Sequence, residues 1–99
     1  MAGGNIRWSA AAIRQFNAAL DYIADDSLQN AEVVKNKILD KLEQIAIHPT
    51  SCPADEYKLN NKGDHRSLLM SHYRISYVIR KDEIEILRIR HTSMKPKSY

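Results

Sequence analysis

The segment YRISYVIRKDEIEILRIRH, residues 73–91, constrains the fold more than any other part of this sequence. Ile, Val and Tyr, which favour strands, alternate along it with arginines, and this period of two predicts β-structure. We expect one strand over 73–80 and another over 84–91, joined by a short turn around 81–83. A preceding strand over 66–72 would extend the hairpin into a small antiparallel sheet.

The register of this hairpin decides which face of the sheet carries the arginines, because a slip of one residue moves every side chain to the opposite face. A two-residue loop mixes bulky apolar groups and cations on both faces. A three-residue loop over 81–83 separates them, and we therefore predict it. It gives a core face made of Tyr73, Ile75, Tyr77, Ile79, Leu87, Ile89 and His91. The opposite face then carries Arg74, Ser76, Val78, Arg80, Ile84, Ile86, Arg88 and Arg90.

This second face is unusual for a surface that only water covers. An arginine needs water or an anion, so four arginines around an apolar centre indicate a partner that supplies negative charge. An apolar patch with a cationic rim is typical of an interface, whereas a solvated face with scattered apolar residues is the alternative interpretation. The residues expected to bind a partner or target are Arg66, Arg74, Val78, Arg80, Ile84, Ile86, Arg88 and Arg90.

Two apolar stripes with helical spacing precede the sheet. The first follows Ser9, a good N-cap residue, and predicts a helix over 10–24. The second begins after a break at Asp25-Asp26-Ser27 and predicts a helix over 28–47, which ends before His48-Pro49. The stripes consist of Ile13, Phe16, Leu20 and Ile23 in the first helix, and of Ala31, Val34, Ile38, Leu42 and Ile45 in the second.

These elements predict an α+β fold in which an N-terminal strand and a helical hairpin pack on an antiparallel sheet of three to four strands. The N-terminal strand is expected over 5–8. Between the helices and the sheet we expect a loop over 50–56, the start of a strand over 57–59 and a turn over 60–64. A chain of 99 residues supports one two-layer core, so we predict a single domain over 1–99.

The positive charge is concentrated in the second half of the chain. Residues 1–48 carry 5 basic and 6 acidic side chains, a net of −1, whereas residues 49–99 carry 10 basic and 6 acidic side chains, a net of +4. Acidic proteins and phosphate backbones are therefore the natural partners of the sheet-forming half.

The sequence carries no signal for a membrane, a disulfide or a metal. It has no long apolar run, and MAGGNIRW lacks the pattern of a signal peptide, so we expect a cytoplasmic protein with no membrane partner. Cys52 is the single cysteine, which fits a reducing compartment. The four histidines and Cys52 lack the spacing of paired ligands, and we expect no metal and no cofactor.

Three stretches resemble the RelE/ParE superfamily of toxins from type II toxin–antitoxin systems. They are Tyr-Arg-Ile-x-Tyr at 73–77, Ile-x-Ile-Leu-x-Ile at 84–89, and His91 just after it. The helix that ends at His48-Pro49 and the position of Arg66 before a strand are further similarities. The resemblance covers nearly the whole chain. It implies a toxin that slows growth and a small cognate antitoxin that wraps a helix and an extended segment over it, in a hetero-oligomer.

The superfamily has two known target classes, because ParE-like members inhibit DNA gyrase and RelE-like members cleave messenger RNA in the ribosomal A site. The cleavage needs groups that activate a ribose 2′-hydroxyl, hold the phosphate and protonate the leaving oxygen. The resemblance places Arg74 and Tyr99 at positions of functional residues in RelE-like toxins, and His91 or Lys95 would supply acid–base chemistry. The candidate catalytic residues of an endoribonuclease are therefore Arg74, His91 and Tyr99.

The chain departs from the ribonuclease pattern at other positions. Lysines of RelE-like toxins fall near His65 and Ser67 here, and a further arginine falls near Ser93. A gyrase inhibitor needs a binding surface and no catalytic residues, so the sequence favours a ParE-like toxin over an endoribonuclease. A basic binding module without toxicity is the third interpretation.

Overall fold

The computed structural model describes residues 5–99 and has the α+β fold predicted from the sequence. The predicted domain also includes residues 1–4, which lie outside the described residues. Within 5–99, no helix has the length and apolar character needed to cross a membrane. The elements in chain order are β1 (Asn5–Trp8), α1 (Ala10–Asp26), α2 (Leu28–Ile47), β2 (His65–Met70), β3 (Tyr73–Arg80) and β4 (Glu83–His91), with a short 3₁₀ turn at Pro49–Ser51.

Serine caps set the boundaries of the helical hairpin. The hydroxyl of Ser9 accepts a hydrogen bond from the Ala12 N–H at 3.0 Å, which satisfies one unpaired donor of the first turn of α1. Ser27 caps α2 in the same way. The predicted end of the first helix at residue 24 was too early, because Ser27 is the residue that ends α1 and its N–H donates to the Ile23 carbonyl. The predicted boundaries of α2 are confirmed.

The four strands form one sheet in the order β1-β4-β3-β2. The pairs β2–β3 and β3–β4 are antiparallel, but β1 runs parallel to β4. The expected antiparallel sheet is therefore mixed, because the two helices lie between β1 and β4 and give the long crossover that a parallel pair requires. The predicted strand start over 57–59 was wrong, since these residues form turns and bends.

The turn between β3 and β4 contains two residues, Lys81 and Asp82, and Arg80 lies opposite Glu83. The predicted three-residue loop over 81–83 was therefore wrong. Asp82 has a φ of 63°. Aspartate tolerates this left-handed region better than most residues, which allows the tight turn.

A β-bulge at Leu87 changes the register halfway along the hairpin. Tyr77 lies opposite Ile86 and Ser76 lies opposite Arg88, so Leu87 is the extra residue. Beyond the bulge, the pairing is the one that a three-residue loop would produce, and Arg74 lies opposite Arg90 as that register requires.

Ile84 and Ile86 were predicted on the arginine face, and this placement was wrong. They lie between the turn and the bulge, where the two-residue loop sets the register, and they pair with Ile79 and Tyr77 of the core face. Both are fully buried and belong to the core cluster that includes Phe16 of α1. They therefore stabilise the fold and offer no surface to a partner.

Side chains of α1 hold the bulge in place. The Ser9 hydroxyl donates to the Leu87 carbonyl at 2.9 Å, and the Ile89 N–H donates to the Gln15 side-chain oxygen at 2.7 Å. A bulge removes ladder hydrogen bonds, so these two contacts satisfy backbone groups that would otherwise be unpaired.

The arginine face of the sheet is also partly covered. Val78 was expected as an exposed apolar centre, but it is only 3% exposed. The connection between α2 and β2 and the segment after β4 lie over this face, since the Tyr57 ring stacks on Arg74 and the Tyr99 ring stacks on Arg88. The chain itself therefore covers part of the face that the sequence pattern suggested was open to a partner.

Candidate functional site

A cluster lies on the arginine face of the sheet, and we call it the Asp55 cluster (Asp55, Ser76, Arg88 and Tyr99); Asp55 and Ser76 are buried, and Arg88 and Tyr99 are half-buried. The Tyr99 hydroxyl donates to Asp55 Oδ2 at 2.7 Å, and the other carboxylate oxygen accepts from the Tyr57 N–H at 3.0 Å. Asp55 is 1% exposed. A buried carboxylate with these hydrogen bonds is a structural anchor for the segments that it joins.

The protonation states of the cluster follow from these contacts. Burial opposes the charge on Asp55, but hydrogen bonds from Tyr99 and the Tyr57 N–H, together with the nearby Arg88 charge, outweigh it. The pKa of Asp55 therefore lies below its ordinary value. Burial and the hydrogen bond to Asp55 raise the pKa of Tyr99. In the stable state, Asp55 is therefore ionised and accepts a hydrogen bond from the neutral Tyr99 hydroxyl.

Arg88 completes the cluster from β4. Its guanidinium lies over the Tyr99 ring at 4.0 Å from the centroid and donates to the Lys97 carbonyl. Burial lowers the pKa of Arg88 below its ordinary value. Within residues 5–99, the buried Ser76 Oγ and Arg88 Nε have no hydrogen-bond partner.

Backbone contacts fix Tyr99 as firmly as its side chain does. Its N–H donates to the Tyr57 carbonyl at 3.0 Å, and its carbonyl accepts from the Leu59 N–H at 2.8 Å. The Lys58 ammonium lies 5.5 Å from the Tyr99 ring centroid, compared with 4.0 Å for the Arg88 guanidinium. Tyr99 is therefore an integral part of the sheet surface.

The other predicted arginines have separate roles. Arg80 pairs with Glu85 at 2.8 Å on the surface of the hairpin. Arg66 lies opposite Tyr77, on the core side of the sheet, and donates to the carbonyls of Gly63 and Cys52 at 2.9 and 2.8 Å. Arg66 was expected at a partner surface, but its hydrogen-bonding groups hold the connection between α2 and β2.

Arg74 and Arg90 lie opposite each other and line a small cavity that we call the arginine cleft. Arg74 stacks over the Tyr57 ring at 4.8 Å from the centroid, and Arg90 donates to the Lys95 carbonyl at 3.2 Å. The cleft has a volume of about 150 Å³. Its lining consists of Tyr57, Leu69, Arg74, Arg90, His91, Thr92, Met94, Pro96 and Lys97.

His91 lies at the end of β4, next to the arginine cleft. Its ring meets Tyr73 edge-on at 5.0 Å between centroids, and its Nδ1 accepts the Ser93 N–H at 3.0 Å. Of the three candidate catalytic residues, Arg74 and His91 share the cleft, whereas Tyr99 does not line it and is bound to Asp55.

A larger groove of about 380 Å³ lies between α1 and the end of β4, and we call it the helix groove; it shares Arg90, His91 and Met94 with the arginine cleft. Tyr22 and Met94, on its rim, are 73% and 50% exposed. Sequence analysis did not identify this groove, because it forms where β1 ends and the last part of β4 has a neighbouring strand, β3, on one side only. Its lining consists of Gln15, Ala18, Ala19, Tyr22, Tyr73, Ile89, Arg90, His91, Ser93 and Met94.

Sequence analysis did not identify Asp55, the residue around which the Asp55 cluster is built. It lies in a stretch that was interpreted as a loop, and its partners Arg88 and Tyr99 lie 33 and 44 positions further along the chain. The only signal was an acidic residue in the basic half of the sequence, which does not identify a buried contact.

Comparisons with known proteins agree with the fold. A ParDE toxin–antitoxin system from P. aeruginosa contains a chain with a TM-score of 0.69 and 16% sequence identity, and the match covers 89% of this chain and 95% of that one. The toxin–antitoxin complex RelBE2 from Mycobacterium tuberculosis gives a TM-score of 0.56 at 18% identity, with 92% and 93% covered. A search of curated protein sequences found no match.

The family assignment comes from the sequence itself. The model of the family described as "ParE toxin of type II toxin-antitoxin system, parDE" matches residues 6–96, which is nearly the whole chain. This match includes both helices, all four strands and most of the segment that follows β4. The chain therefore belongs to the ParE toxin family and is the toxin of a type II toxin–antitoxin system.

Proposed function

We propose that this toxin arrests growth in the cytoplasm by inhibiting DNA gyrase, and that a cognate antitoxin neutralises it. The observation that carries the proposal is the position of Tyr99, which is bound to Asp55 and covered by Arg88. An endoribonuclease of the RelE type would need this tyrosine beside Arg74 and His91. The family match to ParE toxins favours the same target.

The chemistry of the cluster argues against Tyr99 as an acid or base. Its proton is shared with a carboxylate, and burial raises its pKa, so loss of that proton near neutral pH is unfavourable. His65 and Ser67, at the positions of the expected lysines, supply no permanent cation either. His65 binds Asp64 at 2.9 Å, and Ser67 is buried.

The helix groove is the surface that best fits the antitoxin. The helices also carry exposed apolar side chains, of which Tyr22 lines the groove, and an amphipathic helix or an extended segment can cover such a surface. The arginine face, where sequence analysis placed the partner, is partly occupied by the chain itself. The exposed apolar side chains of the helices are Ile13, Tyr22, Leu28, Val33 and Ile47.

The test compares wild-type toxin with the double variant His91→Gln/Tyr99→Phe. In a supercoiling assay with purified gyrase, both proteins should inhibit, and the variant should retain most of the wild-type potency because both changes nearly conserve side-chain size and leave every arginine in place. On translating ribosomes, neither protein should cut the message. Loss of inhibition in the variant would refute the proposal. A wild-type protein that does not inhibit gyrase would also refute it.

An endoribonuclease is the second candidate, because Arg74 and His91 do share the arginine cleft. A phosphate-holding arginine beside an imidazole is a minimal arrangement for phosphodiester cleavage. This candidate requires message cleavage by the wild type on translating ribosomes and its loss in His91→Gln. The absence of cleavage by a wild-type toxin that inhibits gyrase would exclude it.

A further inference from the structure

The cross-strand pair of Arg74 and Arg90 brings two cations together without a carboxylate between them. Like charges directly opposite each other destabilise an antiparallel pair. Arg7 and Arg80 of the same sheet have carboxylate partners at 3.2 and 2.8 Å, in Glu83 and Glu85. Among the described residues, neither Arg74 nor Arg90 forms an ion pair. The pair therefore retains its full charge.

The arginine cleft presents this charge to a ligand. No carboxylate lines the cleft, whereas Lys97 adds a third cation to its wall. The guanidinium of Arg74 is oriented by the ring of Tyr57, and that of Arg90 by the Lys95 carbonyl. Planar guanidinium groups held in this way match the oxygens of a phosphate, which can accept two parallel hydrogen bonds from one arginine.

Further cations lie near the cleft. The Lys58 ammonium and the Arg88 guanidinium lie 5.5 and 4.0 Å from the Tyr99 ring centroid, and Arg88 donates to the carbonyl of Lys97, a residue that lines the cleft. A single small anion would need only the cleft. Several cations with an aromatic ring among them fit a chain of phosphates, as in proteins that bind nucleic acid.

We propose that the arginine cleft binds the phosphodiester backbone of duplex DNA, and that the toxin uses it to contact the DNA held by gyrase. This inference rests on the proposed function, since it assigns a nucleic-acid contact to the toxin–gyrase assembly in addition to a protein contact. Contacts of this kind position a protein on DNA and carry no sequence information.

The test measures binding of the whole toxin to a duplex oligonucleotide by fluorescence anisotropy over a range of salt concentrations. The variant is Arg74→Gln/Arg90→Gln, and the control is Arg14→Gln/Arg80→Gln, which removes the same charge outside the cleft. The cleft variant should bind about tenfold or more weakly at low salt, because two charge-assisted contacts are lost. The slope of log K against log salt should fall by about 2, whereas the control should change little.

The same two variants should also differ in the supercoiling assay. The cleft variant should require about tenfold more protein than the control for the same inhibition. If the double variant does not fold, Arg90→Gln alone replaces it in both assays, because this variant keeps the contact between Arg74 and Tyr57. The inference would be overturned if the control lost as much DNA binding as the cleft variant. It would also be overturned if the wild type did not bind DNA, or bound RNA of the same sequence more tightly.

If cleft variants inhibit gyrase as the wild type does, the inference fails while the proposed function stands. If the wild type binds DNA but does not inhibit gyrase, the proposed function fails, and the contact with gyrase-held DNA fails with it.

Discussion

Asp55 is the residue on which the arrangement of the arginine face depends. Its two carboxylate oxygens hold the Tyr57 backbone and the Tyr99 side chain, and its charge lies near Arg88. Asp55 thus joins the connection between α2 and β2, strand β4 and the segment after β4. Loss of its charge should therefore loosen that connection and the segment after β4 together.

The pH dependence of stability should show this role. The pKa of Asp55 is lower in the folded state than its ordinary value of 3.8, so the unfolded chain binds the proton first. The stabilisation by Asp55 is therefore present above pH 3.8 and is lost as the pH falls through the lower, folded-state value. Asp55→Asn should reduce the free energy of unfolding by about 2 kcal/mol at pH 7, and this difference should shrink as the pH falls below 3.8.

Urea titrations at several pH values check this expectation. Asp21→Asn is the control, because Asp21 is exposed and forms no ion pair among the described residues. A constant difference between wild type and Asp55→Asn from pH 7 to pH 3 would show that the charge of Asp55 does not stabilise the fold.

At the scale of elements, the bulge in β4 decides which residues face the helices. Its position depends on Ser9 and Gln15, which lie more than 70 residues away in the sequence. The alternating pattern of the hairpin allows either a three-residue loop or a two-residue loop with a later bulge. Only the second buries Ile84 and Ile86 and also leaves Arg88 and Arg90 on the other face.

Local sequence signals therefore located the main helices and strands but did not determine the register in which the strands pair. Caps and apolar periodicity predicted β1, α2 and β3 with the observed boundaries. The Asp55 cluster and the helix groove could not be predicted, because each forms between segments that are distant in the sequence. A hydrogen bond between residues 55 and 99 leaves no periodic pattern in the chain.

Ser9→Ala should be more destabilising than the equivalent change at the second helix. Ser9 caps α1 and also donates to the bulge carbonyl of Leu87, so its loss removes a cap and leaves a part-buried acceptor unpaired. We expect a cost of about 2–3 kcal/mol in the free energy of unfolding. Ser27→Ala removes a cap alone and should cost about 1 kcal/mol. Equal costs in urea denaturation would show that the Ser9–Leu87 bond does not hold the bulge.

At the scale of the whole molecule, two cavities of different character meet at the end of β4. The helix groove is largely apolar and lies against α1, whereas the arginine cleft is cationic and lies next to the Asp55 cluster. Arg90, His91 and Met94 line both cavities, so an antitoxin in the helix groove would also contact residues of the arginine cleft. The difference in lining explains why charge alone directed sequence analysis to the arginine face and away from the helix groove.

Tyr22→Glu should weaken neutralisation without reducing toxicity. Tyr22 is exposed on the helix groove, and a charge there would be buried without a partner under an antitoxin. We expect antitoxin affinity to fall by about tenfold or more, measured by calorimetry and by growth during co-expression. Leu59→Glu, which changes an exposed residue away from the groove, is the control. Unchanged neutralisation of Tyr22→Glu would place the antitoxin elsewhere.

The most direct test of gyrase inhibition is a supercoiling assay that contains only purified gyrase, ATP, relaxed plasmid and this toxin. The proposal predicts that supercoiling stops as toxin is added and resumes when the cognate antitoxin is supplied. Full supercoiling at toxin concentrations well above that of gyrase, together with cleavage of messages on translating ribosomes, would contradict it.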